Sequence, residues 1–266
     1  SAMITDTVKV VGRTKVFITG PNSGCANVPL TFQGIALQPL ASWQWNFGNG
    51  DTSSQQNPSA QIYNAANTYN VQLIGINNSG CADTASRQLI IHALPNINAN
   101  ASQNNICLGQ SVQLQANDES VYHWTPVTGL SNPDTANPIA TPTQNTIYYV
   151  NAVNSFGCAS NDSVAINVSQ PFTINARGDT TLCAGQPVQL SVSGGAARYV
   201  WMPATFLDDP AKANPVSRPD STINYTVIGY GNDACFTDTA SVNINVYPLP
   251  QVNAGPDQIV TVGSEV

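Results

Sequence analysis

The sequence predicts an all-β chain of tandem antiparallel β-sandwich domains in an extended array, and three observations predict it. First, a short motif recurs. Cys107-Leu-Gly-Gln-Ser-Val-Gln-Leu114 matches Cys183-Ala-Gly-Gln-Pro-Val-Gln-Leu190, and Cys25-Ala-Asn-Val-Pro-Leu-Thr-Phe32 is a looser copy. Each copy is followed by a lone Trp (Trp45, Trp124, Trp201), an Asn-Pro pair (Asn57-Pro58, Asn137-Pro138, Asn214-Pro215), a Tyr (Tyr69, Tyr148, Tyr225) and a second Cys (Cys81, Cys158, Cys235). The second and third copies are offset by 77 residues at each of these later landmarks, which is the length of a small domain and not of a solenoid unit. Second, apolar residues alternate with period two, as in Val112/Leu114, Val164/Ile166/Val168 and Val242/Ile244/Val246, between clusters rich in Gly, Asn, Pro and Ser. Third, only 9% of the 266 residues are charged, with Glu confined to Glu119 and Glu265, so the material of exposed helix faces is scarce.

About seven short strands per repeat, with a Trp on the third and a Tyr opening the sixth, suggest an immunoglobulin-like sandwich. Trp45, Trp124 and Trp201 are expected to fill the cores between sheets. Tyr69, Tyr148 and Tyr225 are expected as tyrosine corners at the turn before the sixth strand, with plain core aromatics as the alternative. The domains expected are residues 14–94, 95–171 and 172–249. Residues 1–13 read as a cloning scar (Ser1-Ala2-Met3) followed by the last strand of a preceding repeat, because Thr5-Asp6-Thr7-Val8 resembles Thr237-Asp238-Thr239. Residues 250–266 read as the first strand of a truncated fourth repeat, with Thr261 where a Cys would stand. Pro-marked linkers (Leu94-Pro95, Gln170-Pro171, Pro248-Leu249-Pro250) imply a semi-rigid array.

The net charge of −7, with no basic cluster, argues against a nucleic-acid partner. No apolar run approaches a membrane span, so no membrane insertion of this segment is expected. Six Cys, two at matched places in each repeat, read as structural disulfides and an oxidising, extracellular or cell-surface location. Counting suggests one bridge inside each repeat: Cys25–Cys81, Cys107–Cys158 and Cys183–Cys235. Topology suggests otherwise. The first Cys ends strand A and the second lies at the turn between the last two strands, at opposite ends of a sandwich. A six-residue strand separates them by about 20 Å, whereas a disulfide needs Cα atoms within roughly 7 Å. In an end-to-end array those turns face each other across a joint, which predicts Cys25–Cys158 and Cys107–Cys235. That reading is preferred here, with the intra-repeat set as its alternative.

Catalytic chemistry has little to work with. His92 and His123 have no Ser or Cys partner in a recognisable motif, the Asp208-Asp209 pair reads as a solvated loop, and there is no phosphate loop or zinc spacing. No enzyme activity and no cofactor are expected. Phe47-Gly-Asn-Gly50 reads as a tight turn. A calcium site would use Asn49 and Asp51, but one carboxylate is too few, and turn structure is the reading adopted.

Trp43-Gln-Trp45-Asn-Phe47-Gly48-Asn49-Gly50-Asp51, followed by Asn57-Pro58 and Tyr69-Asn-Val71-Gln-Leu73, resembles the PKD domain signature over most of residues 14–94. Repeats two and three depart from it, with Trp124-Thr-Pro126 and Trp201-Met-Pro203 in place of the Phe-Gly-Asn-Gly turn. They are similar to the Ig-like or PKD-like repeats of large surface proteins of gliding bacteria. That resemblance implies type IX secretion cargo or motility-associated adhesins. It also gives meaning to a recurring Asp-(Ser/Thr) pattern, similar to the O-glycosylation sequon of such bacteria, and points to glycans at Thr84, Ser163 and Thr239. The alternative is that Asp then Thr simply opens a strand.

The function expected is a non-catalytic spacer and display segment of an adhesin-like surface protein, a monomer whose partners are the flanking repeats. The alternative is a binding module for surface polysaccharide or protein, as in accessory domains of secreted hydrolases. That would need an aromatic platform. Trp43, at a rim, is the first candidate, with Tyr122, Tyr149, Tyr199 and Tyr230 behind it.

Overall fold

The computed structural model describes residues 14–117, 121–253 and 255. The strand expected over residues 1–13 lies outside them, and so does most of the segment assigned to a fourth repeat. The described residues hold strands and turns and no helix.

The first repeat contains β1 (Val16–Thr19), β2 (Ser23–Cys25), β3 (Gln33–Ala36), β4 (Ser42–Asn46), β5 (Thr52–Ser53), β6 (Asn67–Ile76) and β7 (Ala82–His92). β1 pairs with β3, and a second sheet runs β2-β7-β6-β4-β5. The second repeat contains β8 (Ala99–Ala101), β9 (Asn105–Cys107), β10 (Val112–Ala116), β11 (Val121–Thr125), β12 (Ile139–Ala140), β13 (Thr146–Val153) and β14 (Ala159–Ser169). Its sheets run β12-β10-β8 and β11-β13-β14-β9. The third contains β15 (Ile174–Arg177), β16 (Thr180–Cys183), β17 (Val188–Gln189), β18 (Ser191–Gly194), β19 (Arg198–Met202), β20 (Val216–Ser217), β21 (Ile223–Tyr230) and β22 (Thr237–Tyr247). Here β16-β22-β21-β19 faces the pairs β15-β18 and β17-β20.

The chain divides into two compact units, and the division runs through the second repeat. One unit is Ser1–Gln103, Ser111–Thr141 and Ile147–Ala165; the other is Asn104–Gln110, Pro142–Thr146 and Ile166–Val266.

In every repeat the first strand is broken in two. Its first half pairs antiparallel in one sheet (β1 with β3, β8 with β10, β15 with β18). Its second half crosses over and runs parallel to the last strand of the other sheet (β2 on β7, β9 on β14, β16 on β22). In the first and third repeats a glycine makes the switch, and in the second Ser102-Gln103-Asn104 makes it without one. Gly20 sits there at φ 147°, and a Cβ would lie 2.7 Å from the Phe32 ring and 2.9 Å from the Thr31 carbonyl. Gly178 holds the same place in the third repeat at φ 138°. The crossover aligns each first Cys with the end of the last strand: Cys25 with His92, Cys107 with Ser169 and Cys183 with Tyr247.

Each repeat buries its Trp completely or nearly so, on the third main strand of the larger sheet. The indole N–H is satisfied by a backbone carbonyl of the following loop: Trp45 donates to Gln55 (2.8 Å), Trp124 to Thr135 (3.0 Å) and Trp201 to Lys212 (3.0 Å). In the first repeat Phe47 stacks on Trp45, with centroids 5.6 Å apart, and Phe32, Val71, Leu73 and Leu89 complete the cluster. In the third, Trp201 packs among Ile174, Leu190, Val192, Tyr225, Val227, Val242 and Ile244.

The tyrosines divide. Tyr148 and Tyr225 are fully buried core residues. Tyr69 is only half-buried, and its hydroxyl donates to the Ala65 carbonyl four residues upstream (3.0 Å), which is the corner geometry. Tyr69 thus takes the tyrosine-corner position while still packing against the first core, and the fully buried tyrosine beside it is Tyr63, which donates its hydroxyl to the Phe47 carbonyl.

Tyr225 shares a hydrogen bond with Ser217 Oγ (2.8 Å) and donates to the Thr205 carbonyl (2.7 Å). The Tyr148 hydroxyl has no partner among the described residues. The strand register explains the difference, because Ala140 stands opposite Val112 where Ser217 stands opposite Val188. Ala140→Ser is expected to satisfy the Tyr148 hydroxyl and stabilise the chain by about 1 kcal/mol, whereas Tyr225→Phe, which leaves Ser217 buried without that partner, costs about 1–2 kcal/mol. Denaturant titration of the two variants checks the opposite signs.

Burial pushes the Tyr63 hydroxyl up to about 12, with the charge of Asp51 and then Tyr69 adding to the rise. Burial also raises Tyr148, and raises Tyr225 against the opposing bond from Ser217. Between pH 10 and 12 the unfolded chain ionises at Tyr63 while the folded chain still holds its proton. Stability that is complete below pH 10 is therefore lost as pH rises through that window, by on the order of 2 kcal/mol from Tyr63. Denaturation midpoints measured from pH 9 to 12 should fall, and Tyr63→Phe should flatten the slope.

Candidate functional site: the joints between repeats

The two ends of the repeat motif meet at the joints. At the first joint, β2 ends on Cys25 beside His92, and the Ala26 N–H continues the ladder to the His92 carbonyl (2.9 Å). Opposite lies the hairpin turn Asn154-Ser-Phe-Gly-Cys158 of the next repeat. The Asn154 side-chain carbonyl accepts the N–H groups of Phe156 and Cys158, both at 3.0 Å, and Gly157 takes φ 81°. This turn presents Cys158 to Cys25, bonded at S–S 2.02 Å with Cα atoms 5.6 Å apart. Beside the bridge the Phe156 ring stacks on His92, with centroids 3.9 Å apart and planes at 11°. The Asn154 amide donates to the Ala93 carbonyl in the linker (3.0 Å).

The second joint repeats the plan with different side chains. β9 ends on Cys107 beside Ser169, and Leu108 N–H donates to the Ser169 carbonyl (3.0 Å). Cys235 comes from a turn in which Ala234 takes φ 55°, the role Gly157 plays at the first joint. Cys107 and Cys235 are bonded at S–S 2.06 Å with Cα atoms 5.4 Å apart. Ser169 Oγ donates to the Asp233 carboxylate where His92 meets Phe156 in the first joint. Neither bridge lies inside a single repeat, and Cys81 and Cys183 are free and exposed.

The recurring aspartates have a structural task that the sequence did not announce. Asp83 accepts the N–H of Val16 (2.8 Å), Asp162 that of Ala99 (2.7 Å) and Asp238 that of Ile174 (2.8 Å). In each repeat a carboxylate on the last strand clamps the start of the first strand, immediately after the linker, through a charge-assisted bond. The residues that follow, Thr84, Ser163 and Thr239, are exposed on the same strands.

The remaining candidates are dispersed. Asn49 and Asp51 are engaged with each other: the Asn49 amide donates to Asp51 Oδ2 (2.9 Å), and Asn49 Oδ1 accepts the Asp51 N–H (3.0 Å). These bonds close the turn, with Gly48 at φ 79° and Gly50 at φ 102° on either side of Asn49. Among the described residues no group of three His, Cys, Asp or Glu could hold a metal. His123 Nδ1 sits 2.7 Å from Asp134 Oδ1, with both side chains exposed. Asp208 lies below the usual carboxylate range because the Val216 N–H and then Lys212 favour its charged form.

The aromatic residues proposed for a platform do not assemble one. Trp43 is half-buried against the first core and covers Gly34. Tyr122 is buried, Tyr230 lies under the Arg198 guanidinium at 3.7 Å, and Tyr199 is half-buried, its hydroxyl donating to the Gly194 carbonyl. Tyr149 alone of these is exposed.

No curated protein matches the chain. Among solved structures, the chain is similar to the PKD1 domain of Vibrio anguillarum Epp, at 22% identity over 31% of this chain and 96% of that one (TM-score 0.28). It is also similar to the C-terminal 282-residue fragment of intimin in complex with the translocated intimin receptor's intimin-binding domain, at 18% identity over 56% of this chain and 65% of that one (TM-score 0.39). A third is SGBP-B of the Bacteroides ovatus mixed-linkage glucan utilization locus, in complex with a heptasaccharide, at 13% identity over 87% and 70% (TM-score 0.26). Two family models match in sequence: residues 15–91 match the PKD domain, and residues 93–171 match the Ig-like domain described as CHU_C associated.

Proposed function

We propose that this chain is a non-catalytic spacer and display segment of a large extracellular or cell-surface protein of adhesin type, working as a semi-rigid rod of β-sandwich repeats. The observation that carries the reading is covalent: both bridges join one repeat to the next, and neither lies within a repeat. A bridge inside a domain protects its core. A bridge across a joint limits bending and twisting of one domain on the next, which matters to a protein whose task is to hold a distance. The short Pro-marked linkers and the aspartate clamps directly after them act in the same direction. PKD and Ig-like domains of this kind suit an extracellular module, and among the described residues no helix is long and apolar enough to cross a membrane.

Small-angle scattering of the oxidised chain, the reduced chain and a Cys25→Ser/Cys107→Ser variant tests the proposal. One narrow distribution of lengths is expected with the bridges intact, broadening when they are removed. A broad distribution regardless of the bridges would overturn it. Retention on immobilised polysaccharide, abolished by Tyr149→Ala, would instead favour a binding module.

A further inference from the structure

Two cysteines remain free, and each sits on the same local scaffold as a bonded one. Cys183 ends β16 beside Tyr247, as Cys25 ends β2 beside His92 and Cys107 ends β9 beside Ser169. The next N–H closes on the partner strand in all three: Ala26 to His92, Leu108 to Ser169 and Ala184 to Tyr247. Two residues later the chain turns back on the Cys carbonyl, from Gln110 to Cys107 and from Gln186 to Cys183. At the other end, Cys81 closes the turn Asn77-Asn-Ser-Gly-Cys81. There Asn77 Oδ1 accepts the N–H groups of Ser79 and Cys81 at 3.0 Å, and Gly80 takes φ 81°, as Asn154 and Gly157 do around Cys158.

A second observation sets the Cys183 end beside the two joints already described. In both completed joints the residue beside the first Cys touches the residue two before the second: His92 stacks on Phe156, and Ser169 bonds Asp233. In the third repeat that residue is Tyr247, an aromatic ring on a strand end that is 66% exposed. The equivalent residue before Cys81 is Ser79, also exposed.

We infer that Cys81 and Cys183 are the two complementary halves of one further joint. Cys183 with Tyr247 takes the hairpin cysteine of a repeat docked after it, and Cys81 takes the strand-end cysteine of a repeat docked before it. The partner is another repeat of this same class, so a second copy of the chain can supply it, Cys183 of one copy meeting Cys81 of the next. Such a head-to-tail contact does not close on itself and propagates. The chemistry is thiol–disulfide exchange with a disulfide oxidant, here oxidised glutathione. The Cys81 thiolate attacks one glutathione sulfur, forming a mixed disulfide and releasing one glutathione thiolate. The Cys183 thiolate of the other copy then attacks the Cys81 sulfur and releases the second. The two thiols give up two protons and two electrons, and one oxidised glutathione becomes two reduced ones. The inference rests on the rod reading, yet fails separately from it, because the scattering test depends on neither Cys81 nor Cys183.

The test oxidises the concentrated chain in a glutathione redox buffer, quenches the thiols and maps cross-linked peptides without reduction. Random encounter gives Cys81–Cys183 links in the same number as Cys81–Cys81 and Cys183–Cys183 links together. Docked joints are expected to raise the mixed link to about fivefold over that sum or more and to yield a ladder of oligomers. Cys81→Ser should abolish the ladder and leave only sparse Cys183–Cys183 dimers, and Tyr247→Ala, which removes the ring and puts no hydrogen-bonding group in its place, should lower the mixed yield with both cysteines present. Links in random proportion, or thiols that stay free, would overturn the inference.

Discussion

Trp201→Ala is expected to unfold the third repeat while the first stays folded. The indole is fully buried at the centre of the third core, between Tyr225, Val227 and Val242. Truncating a buried Trp to Ala costs about 3–5 kcal/mol through lost burial and the cavity left behind. The loop after β19 is loosened as well, because the indole N–H that holds the Lys212 carbonyl is gone. A domain of this size has only about 4–12 kcal/mol of stability at the usual value per residue, so one substitution removes a large share of it. Hydrogen exchange resolved along the chain is the measurement. Amides of β19, β21 and β22 should lose protection, while those of β4, β6 and β7, built on Trp45, keep theirs. Uniform loss of protection over all three repeats would mean that the bridges make the array one cooperative unit.

The sequence made the strands legible because period-two alternation is a direct imprint of a sheet with one buried face. The buried residues of β14 (Val164, Ile166, Val168) are the alternating set. Trp45, Trp124 and Trp201 were legible because each stands at the same place in its repeat, between turn clusters. The broken first strand was not. Gly20 and Gly178 mark it, but a glycine in a strand reads equally as a turn or a bulge until the partner strand is known. The clamp by Asp83, Asp162 and Asp238 was hidden for a related reason. The carboxylate and the N–H it holds are more than sixty residues apart, so only the motif and not its partner could be seen. The hairpin turns could have been read, since Asn three residues before Gly-Cys recurs at Asn77 and Asn154 and an Asn side chain commonly closes its own turn. Tyr63 was not legible because it lies outside the shared motif, yet it is buried and its ring packs 4.6 Å from that of Tyr69.

Cys25→Ser is expected to destabilise the first repeat without touching its core. Cys25 and Cys158 are 133 residues apart, and the loop they close passes through the whole of the first repeat after β2 and back through the linker. When the first repeat unfolds and the second does not, the bridge ties the unfolded segment at both ends, to Cys158 through the sulfur and to β8 through the linker. In the chain-entropy treatment, closing a loop of that order costs the unfolded state about 4 kcal/mol, and strain or residual structure reduces the measured value to about 2–4 kcal/mol. The substitution releases that constraint, so unfolding of the first repeat becomes easier while the third, held by Cys107–Cys235, is unaffected. Cys158→Ser should produce the same loss although it lies in another repeat, and Cys25→Ser with Cys158→Ser should cost no more than either alone. Thermal unfolding followed at the first repeat measures all three. Effects that add would show that each sulfur acts within its own repeat and that the joint contributes nothing. Non-additive, equal effects would mean that a residue in the second repeat sets the stability of the first, as a rod needs when load passes from one repeat to the next.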